Sequence, residues 1–393
     1  MINKIKKLSN EFLPEIIRIR RHMHKHPELS FQENKTSDFI KKELKKIGIN
    51  FTSGHVNTGI IGTIEGENPK SKTVLLRADI DALPIHEKNN ISYKSSNDGV
   101  MHACGHDAHS ASLLGAAQIL NHLKNEFTGT IKLLFQPAEE QLPGGAKLLI
   151  EEGVFNNIKP DFCFAQHVFP ELPSGKVGFK KGLYMASTDE IHVTVFGKGG
   201  HAALPHKVID PIVIASQLII NLQQIISRNN NPITPSVLSF GFIEAKGATN
   251  VIPNEVKLKG TFRTFDENWR AKAHEKMLKM ASSIAESMGG SCDFEIKKGY
   301  PYLTNDFKTT DLAIESAKEY LGEENVVDLD LRMTSEDFAY LSHEFPSCFY
   351  RLGTFDGKNA SNLHTPTFNI DEGSLEIGAG LLSYIAIQQL NTL

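Results

Sequence analysis

"TVLLRADID", residues 73 to 81, decides how the fold is read. Val74, Leu75 and Leu76 run without polar alternation, the pattern of a strand whose two faces are both covered. On its N-terminal side, Phe12, Ile16, Ile19 and Met23 fall at helical spacing, and "GIIGTIEG" (59–66) is a second short apolar strand. On its C-terminal side, Leu113, Ala117, Leu120 and Leu123 trace one helix face. "TIKLLFQ" (130–136), a helix over 145–152 and "DFCFAQH" (161–167) follow. Helices and strands alternating in this way predict an α/β fold, a mostly parallel sheet covered by helices.

Near Asp189 the pattern changes. "EIHVTVFGKGG" (190–200) alternates with period two, a helix spans 211–228, and "SVLSFGFIE" (236–244) and "EVKLKGTFRTF" (255–265) are strands. A helix over 267–288 and the strand "CDFEIK" (292–297) complete a split βαβ order. Residues 187–297 are therefore expected to form a smaller inserted α+β, ferredoxin-like domain. Helix and strand alternation returns after residue 300, so 1–186 and 298–393 are expected to make up one discontinuous domain.

Composition narrows the function. A net charge of −4 and the absence of a long like-charge block argue against nucleic acid as a partner. The basic start, "MINKIKKLSNEF", leads into no apolar targeting segment, and no apolar run approaches membrane-spanning length, so a cytoplasmic protein is expected. Among four cysteines, Cys163, Cys292 and Cys348 lie in apolar strand-like runs and are read as core residues. Cys104 differs, because "HACGHDAHS" (102–110) surrounds it with imidazoles.

In open parallel sheets, ligands sit beyond the carboxyl ends of the strands. Polar residues collect there: Asp79 and Asp81 after one strand, Glu139 and Glu140 after "IKLLFQPA", His167 after "DFCFAQ", and His364 beyond the strand near Cys348. Taken singly, each has a structural explanation as a cap, a solvated loop residue or a surface histidine. Together they place thiolate, imidazole and carboxylate at one sheet edge, a donor set that suits zinc, manganese, cobalt or nickel and in which a thiolate or carboxylate can bridge two ions. Of two adjacent acids, one can ligate while its neighbour moves protons, and Glu139 and Glu140 fit this division.

The blocks "RADIDALP", "HACGHDAH", "FQPAEE", "GGAK", "GKGGHAALPH", "NVIP", "GTFRTF" and "SEDFAY", in that order, resemble the metallopeptidase family of aminoacylases and carboxypeptidases. The branch they are most similar to holds hippurate hydrolases, N-acyl-amino-acid amidohydrolases and auxin-conjugate amidohydrolases. The resemblance implies a catalytic domain with two divalent metal ions, interrupted by a lid that also forms a homodimer. It implies that Cys104 bridges the ions, that His106 and His167 complete one site and Glu140 and His364 the other, and that Glu139 is the general base and acid. Asp81 acts from behind the ligands, and Asp79 stands where related branches carry a ligand histidine. His201 is implied to polarise the scissile carbonyl in the partner subunit's site, with Asn250 and Arg263 holding the substrate's free carboxylate and backbone. His102, Asp107 and His109 are assigned to packing, capping or hydrogen bonds that orient ligands, "HMHKHP" (22–27) to local structure, and Glu336 to the site lining.

The implied reaction is amide hydrolysis of an N-acyl amino acid, with a dipeptidase, a carboxypeptidase or an N-acetyl-diaminopimelate deacetylase as alternatives. A cysteine hydrolase using Cys104 would leave Glu139, Glu140, His167 and His364 without a purpose. A structural metal protein would need no free acid beside the ligands.

Overall fold

The computed structural model describes residues 1–358 and 361–392. The chain divides into two compact units: Met1–Tyr184 with Thr304–Leu331 and Asp337–Leu393, and Met185–Leu303 with Arg332–Glu336. The second unit is thus wider than the 187–297 expected from periodicity and takes in a short return of the chain at 332–336.

In the first unit, eight strands form one mixed sheet in the order Asn50–His55, Gly59–Glu65, Thr130–Gln136, Thr73–Asp79, Phe162–Pro173, Ser347–Phe355, Val177–Phe179, Val326–Asp328. The strands from Thr130–Gln136 to Ser347–Phe355 are parallel, and the antiparallel pairings lie to either side of them. Val74, Leu75 and Leu76 have no exposed surface, as their unbroken apolar run requires. Helices Ile2–Lys25, His106–His122 and Ser374–Leu390 pack on one another. They meet closely at Gly115, where a Cβ would stand 2.5 Å from Ile16 Cδ1 and 2.9 Å from Ala379 Cβ.

"DFCFAQH" does not end at His167. The strand continues to Pro173 because Ser347–Phe355 pairs with it from Cys163 to Phe169 and, after a register shift, again at Phe355 opposite Pro173. Its other neighbour, Thr73–Asp79, pairs only as far as Arg77 opposite Ala165. In that register His167 stands level with Asp79, the carboxyl-terminal residue of that neighbour and two residues past their last pairing, although it is in the interior of its own strand.

The second unit has an antiparallel sheet in the order Ser236–Glu244, Glu255–Thr264, Asp189–Phe196, Ser291–Lys298, with helices Pro211–Gln224 and Glu267–Ser287. Both helices start on an aspartate: Asp210 accepts the N–H groups of Ile212 and Val213, and Asp266 those of Asn268 and Trp269. The core forms where Ile191, Val193 and Val195, alternating along their strand, meet Ile214, Leu218, Ala273 and Met277.

Asp189 is wholly buried in this unit. It accepts hydrogen bonds from Arg270 Nη2 at 2.5 Å and Nε at 3.0 Å, and its Oδ2 lies 2.7 Å from His274 Nε2. Asp189→Ala would strip the buried Arg270 guanidinium of its buried carboxylate partner, leaving Glu267 on Nη1, and the expected loss is about 3–5 kcal/mol in urea unfolding. Burial raises the Asp189 pKa, but His274 and Arg270 outweigh it and hold the carboxyl below its usual range. The contribution is accordingly complete above the unfolded carboxylate range and is lost as acid titrates the folded group. Wild type should lose more stability than the variant on acidification, and equal losses would contradict this assignment.

Candidate metal centre

Five side chains expected at the site converge in the first unit. Cys104 Sγ lies 3.4 Å from His167 Nε2 and 3.3 Å from His364 Nε2. Two trios, Cys104 with His106 and His167, and Cys104 with Glu140 and His364, each place one donor atom per residue within 4.8 Å of the others. Cysteine offers a single donor, so the trios share the Cys104 sulfur. Donors about 2.0–2.3 Å from a common ion stand roughly 3–4 Å apart, which these spacings match.

Local sequence explains how the donors are aimed. Gly105 opens helix His106–His122 at φ 87°, and a Cβ there would come within 2.4 Å of Val168 Cγ2. Glycine thus lets Cys104 and His106 face the same point. Asp81 Oδ1 is 3.1 Å from His106 Nδ1, and Asp81 Oδ2 accepts the Ser30 hydroxyl at 2.6 Å and the Glu140 N–H at 2.9 Å. One buried carboxylate therefore orients a ring and the loop that bears an acid. His167 Nδ1 donates to the Val168 carbonyl at 2.7 Å, which directs Nε2 towards Cys104.

Glu139 and Glu140 follow Ala138, whose φ of 52° is unusual for a residue with a side chain. Glu33 supports that turn, taking the Ala138 N–H at 2.9 Å and the Thr58 hydroxyl at 2.9 Å. Burial and the nearby Asp81 push the Glu33 pKa up. Asp337 is a second brace. It accepts from Ala146 N, Arg77 Nη2 and Gln136 Nε2, and its N–H approaches Glu139 Oε1 at 3.4 Å. Neither Glu33 nor Asp337 is evident from sequence, because their partners are far along the chain.

The donor set fits a cation. His106 Nε2 is buried with no hydrogen-bond partner, and its neighbours Asp79 Oδ2, Glu139 Oε2 and Glu140 Oε1 stand off at 3.8, 4.0 and 3.9 Å. Glu140 Oε1 also lacks a hydrogen bond, although His364 Nε2 is 3.3 Å away. Buried polar atoms are almost always satisfied, so two orphans facing one point indicate a missing partner. With protein charges alone, burial would depress the His106 imidazole, but Asp79 and Asp81 outweigh it and push its pKa up to about 10. Burial, then Glu140, Glu139 and Asp79, drive the Cys104 thiol well above its ordinary value. His167 goes the other way, held well below its ordinary value by burial and Arg351.

His109 stands close to these donors but is committed elsewhere. Its Nδ1 is 2.6 Å from Asp79 Oδ1, and its Nε2 accepts the Val168 N–H at 2.9 Å. Both nitrogens are used, so Asp79, His106 and His109 do not make a further ion site despite their proximity. Asp79, with Arg77 Nη1 at 2.7 Å on its other oxygen, holds His109, and His109 holds the backbone beside His167.

His201, Asn250 and Arg263 lie in the second unit. His201 pairs with Val251 across a two-residue ladder, and the Ala202 N–H donates to the Asn250 carbonyl at 3.0 Å, so His201 and Asn250 are neighbours. Arg263 is half-buried on Glu255–Thr264, where Nη1 donates to the Met333 carbonyl at 3.1 Å and the Ser335 hydroxyl at 3.2 Å. Glu336 belongs to the same unit.

Residues 75–388 match the model of peptidase family M20/M25/M40. N-acetyl-L-cysteine deacetylase of Bacillus subtilis is 41% identical over 376 residues, 96% of this chain and 88% of that protein. The N-acyl-L-amino acid amidohydrolase of Geobacillus stearothermophilus is 42% identical over 302 residues, covering 77% and 81% of the two chains. The crystal structure of the Bacillus subtilis YxeP protein, a dinuclear metal binding peptidase, superposes with a TM-score of 0.82 at 35% identity over 98% of this chain and 100% of that one. Fold, donor set and relatives define a metal-dependent hydrolase. The chain belongs to peptidase family M20/M25/M40.

Proposed function

We propose that this enzyme hydrolyses the amide bond of N-acyl amino acids, releasing a carboxylate and a free amino acid. The observation that carries the reading is the pair of donor trios sharing Cys104 Sγ, with Glu139, a member of neither trio, beside them at 4.0 Å from His106 Nε2. His106 and His167 would hold one divalent ion and Glu140 and His364 the other, with Cys104 a donor available to both trios. Two divalent ions supply Lewis acidity and acidify a water to near neutrality. Glu139 takes a proton from the attacking water and delivers it to the departing amine nitrogen, while Asp81 keeps His106 and the Glu140 loop in register.

His201 of the partner subunit donates to the carbonyl oxygen as it becomes anionic. Its Nδ1 accepts the Ala203 N–H at 3.1 Å, so the neutral ring carries its proton on Nε2, the tautomer this task requires. Arg263 binds the substrate's free carboxylate, and Asn250, which neighbours His201, holds the substrate backbone. In support, Arg263 is half-buried and has no carboxylate partner among the described residues. The second unit serves as lid and dimerisation domain. Val213 and Ile220 on its helix and Phe242 and Ile243 on its edge strand are exposed, a surface suited to a second copy.

Manganese, zinc, cobalt and nickel all suit the donors, and supply decides between them. Among the described residues no helix is long and apolar enough to cross a membrane. A thiol kept as a ligand is suited to a reducing compartment, which supports the cytoplasm.

A panel of acetyl, benzoyl and longer acyl amino acids, beside dipeptides and N-acetyl-diaminopimelate, should be assayed with each of the four metals. Acyl amino acids are expected to be cleaved, and capping their carboxylate as an amide should lower kcat/KM by at least about 100-fold. Cleavage of dipeptides alone would move the assignment to a peptidase, and no cleavage under any metal would end it.

A further inference from the structure

Arg20 interrupts an apolar helix face. It lies between Ile16, Ile19 and Met23, and its side chain has no exposed surface. Burying a guanidinium costs several kcal/mol unless its N–H groups are paired, so such a residue persists where its bonds are numerous. Arg20 Nε donates to Asp107 Oδ2 at 2.9 Å, Nη1 to Glu372 Oε1 at 3.0 Å and the Tyr93 hydroxyl at 3.1 Å, and Nη2 to Asn369 Oδ1 at 2.7 Å. One turn further on, His24 sets Nδ1 2.8 Å from the same Asp107 oxygen and Nε2 3.1 Å from Glu87 Oε1.

These bonds link two segments distant in sequence. Asp107 is adjacent to His106 at the helix start that also carries Cys104, whereas Asn369 and Glu372 follow His364 on the segment leading to helix Ser374–Leu390. His364 must reach Cys104 Sγ from a left-handed backbone, φ 60°, a conformation that persists only where the surroundings enforce it. Among the described residues, the enforcing contacts include the His364 N–H to the Ala103 carbonyl at 2.8 Å, the Lys88 N–H to the Pro366 carbonyl at 2.7 Å, Asn89 Nδ2 to the Phe368 carbonyl at 3.0 Å, the Asp371 N–H to the Thr354 carbonyl at 3.0 Å, Arg21 on Glu372, and the buried Arg20 fork.

We propose that Arg20 is a positioning residue of the metal centre, fixing the His364 segment against the helix start that bears Cys104 and His106. The inference rests on the ligand set proposed above and assigns a task to the "RRHMHKHP" stretch beyond local structure. Because the fork reaches the His364 side, its loss should loosen the ion held by Glu140 and His364 more than the one held by His106 and His167.

The test is chelator-competition titration of the full-length protein with cobalt(II), with the visible and thiolate-to-metal absorption recorded at each step. Wild type is expected to take up two ions. Arg20→Met should bind one with near-normal affinity and the other about 10- to 100-fold more weakly, with an altered absorption spectrum at saturation. Should Arg20→Met fail to fold, Asn369→Ala removes the Nη2 arm to the His364 segment, together with the Asn369 contact to Tyr93, while Asp107 and Glu372 stay paired, and is read in the same way. Two ions bound with wild-type affinities and an unchanged spectrum would overturn the proposal, whatever the change in Tm. Wild type binding no ion would instead remove the ligand reading on which it stands.

Discussion

Glu139→Gln is expected to lower kcat by about 100- to 10,000-fold while two ions remain bound, because general acid–base transfer contributes on that scale. The substitution keeps the volume of a side chain that is only 6% exposed. The amide oxygen can still accept the Asp337 N–H that now approaches Oε1. What disappears is the capacity to take a proton from water and return it to the amine. Glu140→Gln should behave differently: its Oε1 belongs to the Cys104 and His364 trio, so metal content should fall together with activity. Metal analysis beside steady-state kinetics separates the two. Full turnover of Glu139→Gln with both ions present would show that the protons move by another route and would leave a metal-binding protein without its assigned base.

Which parts of this site were legible in the sequence follows from how each residue signals itself. Cys104, His106, Glu140, His167 and His364 sit beside apolar strands or a helix start, and the rule that sheets bind ligands at their carboxyl ends singles them out. The split βαβ order of the second unit was legible for a similar reason, since alternation such as that in Asp189–Phe196 is a strong local signal. The braces were not. Glu33, Asp337 and Glu87 act through partners distant in the chain, and no spacing rule pairs Glu33 with Ala138 or Asp337 with Arg77. Arg20 did leave a trace, a charge on the helix face otherwise formed by Ile16, Ile19 and Met23, which marks a buried polar site without naming its partners. The two-residue ladder joining His201 to Val251 is too short for periodicity to reveal. The strand bearing His167 was expected to end there and instead runs on to Pro173, because register between neighbouring strands is a property of the folded sheet and not of either strand.

Cys104→Ser is expected to weaken metal binding by more than the 10- to 100-fold typical of losing an outer partner, and to lower activity in proportion to lost metal. Protein charges oppose the thiolate: burial, Glu140, Glu139 and Asp79 all favour the protonated thiol. A divalent cation reverses that balance, since a coordinated thiol is deprotonated outright, whereas a serine hydroxyl is a far weaker acid and a harder donor. The pH dependence has a definite sign. His106 is held protonated up to about 10 by Asp79 and Asp81 against the effect of burial, so loading the site must displace protons from both Cys104 and His106. Metal affinity of the wild type should therefore rise with pH across the neutral range, and titrations in buffers of different ionisation enthalpy should report proton release on binding. In Cys104→Ser the thiol's proton is absent, so fewer protons should be released per ion. A nucleophilic cysteine predicts the opposite pairing, full metal content with no turnover, and that result would replace the bridging assignment with covalent catalysis.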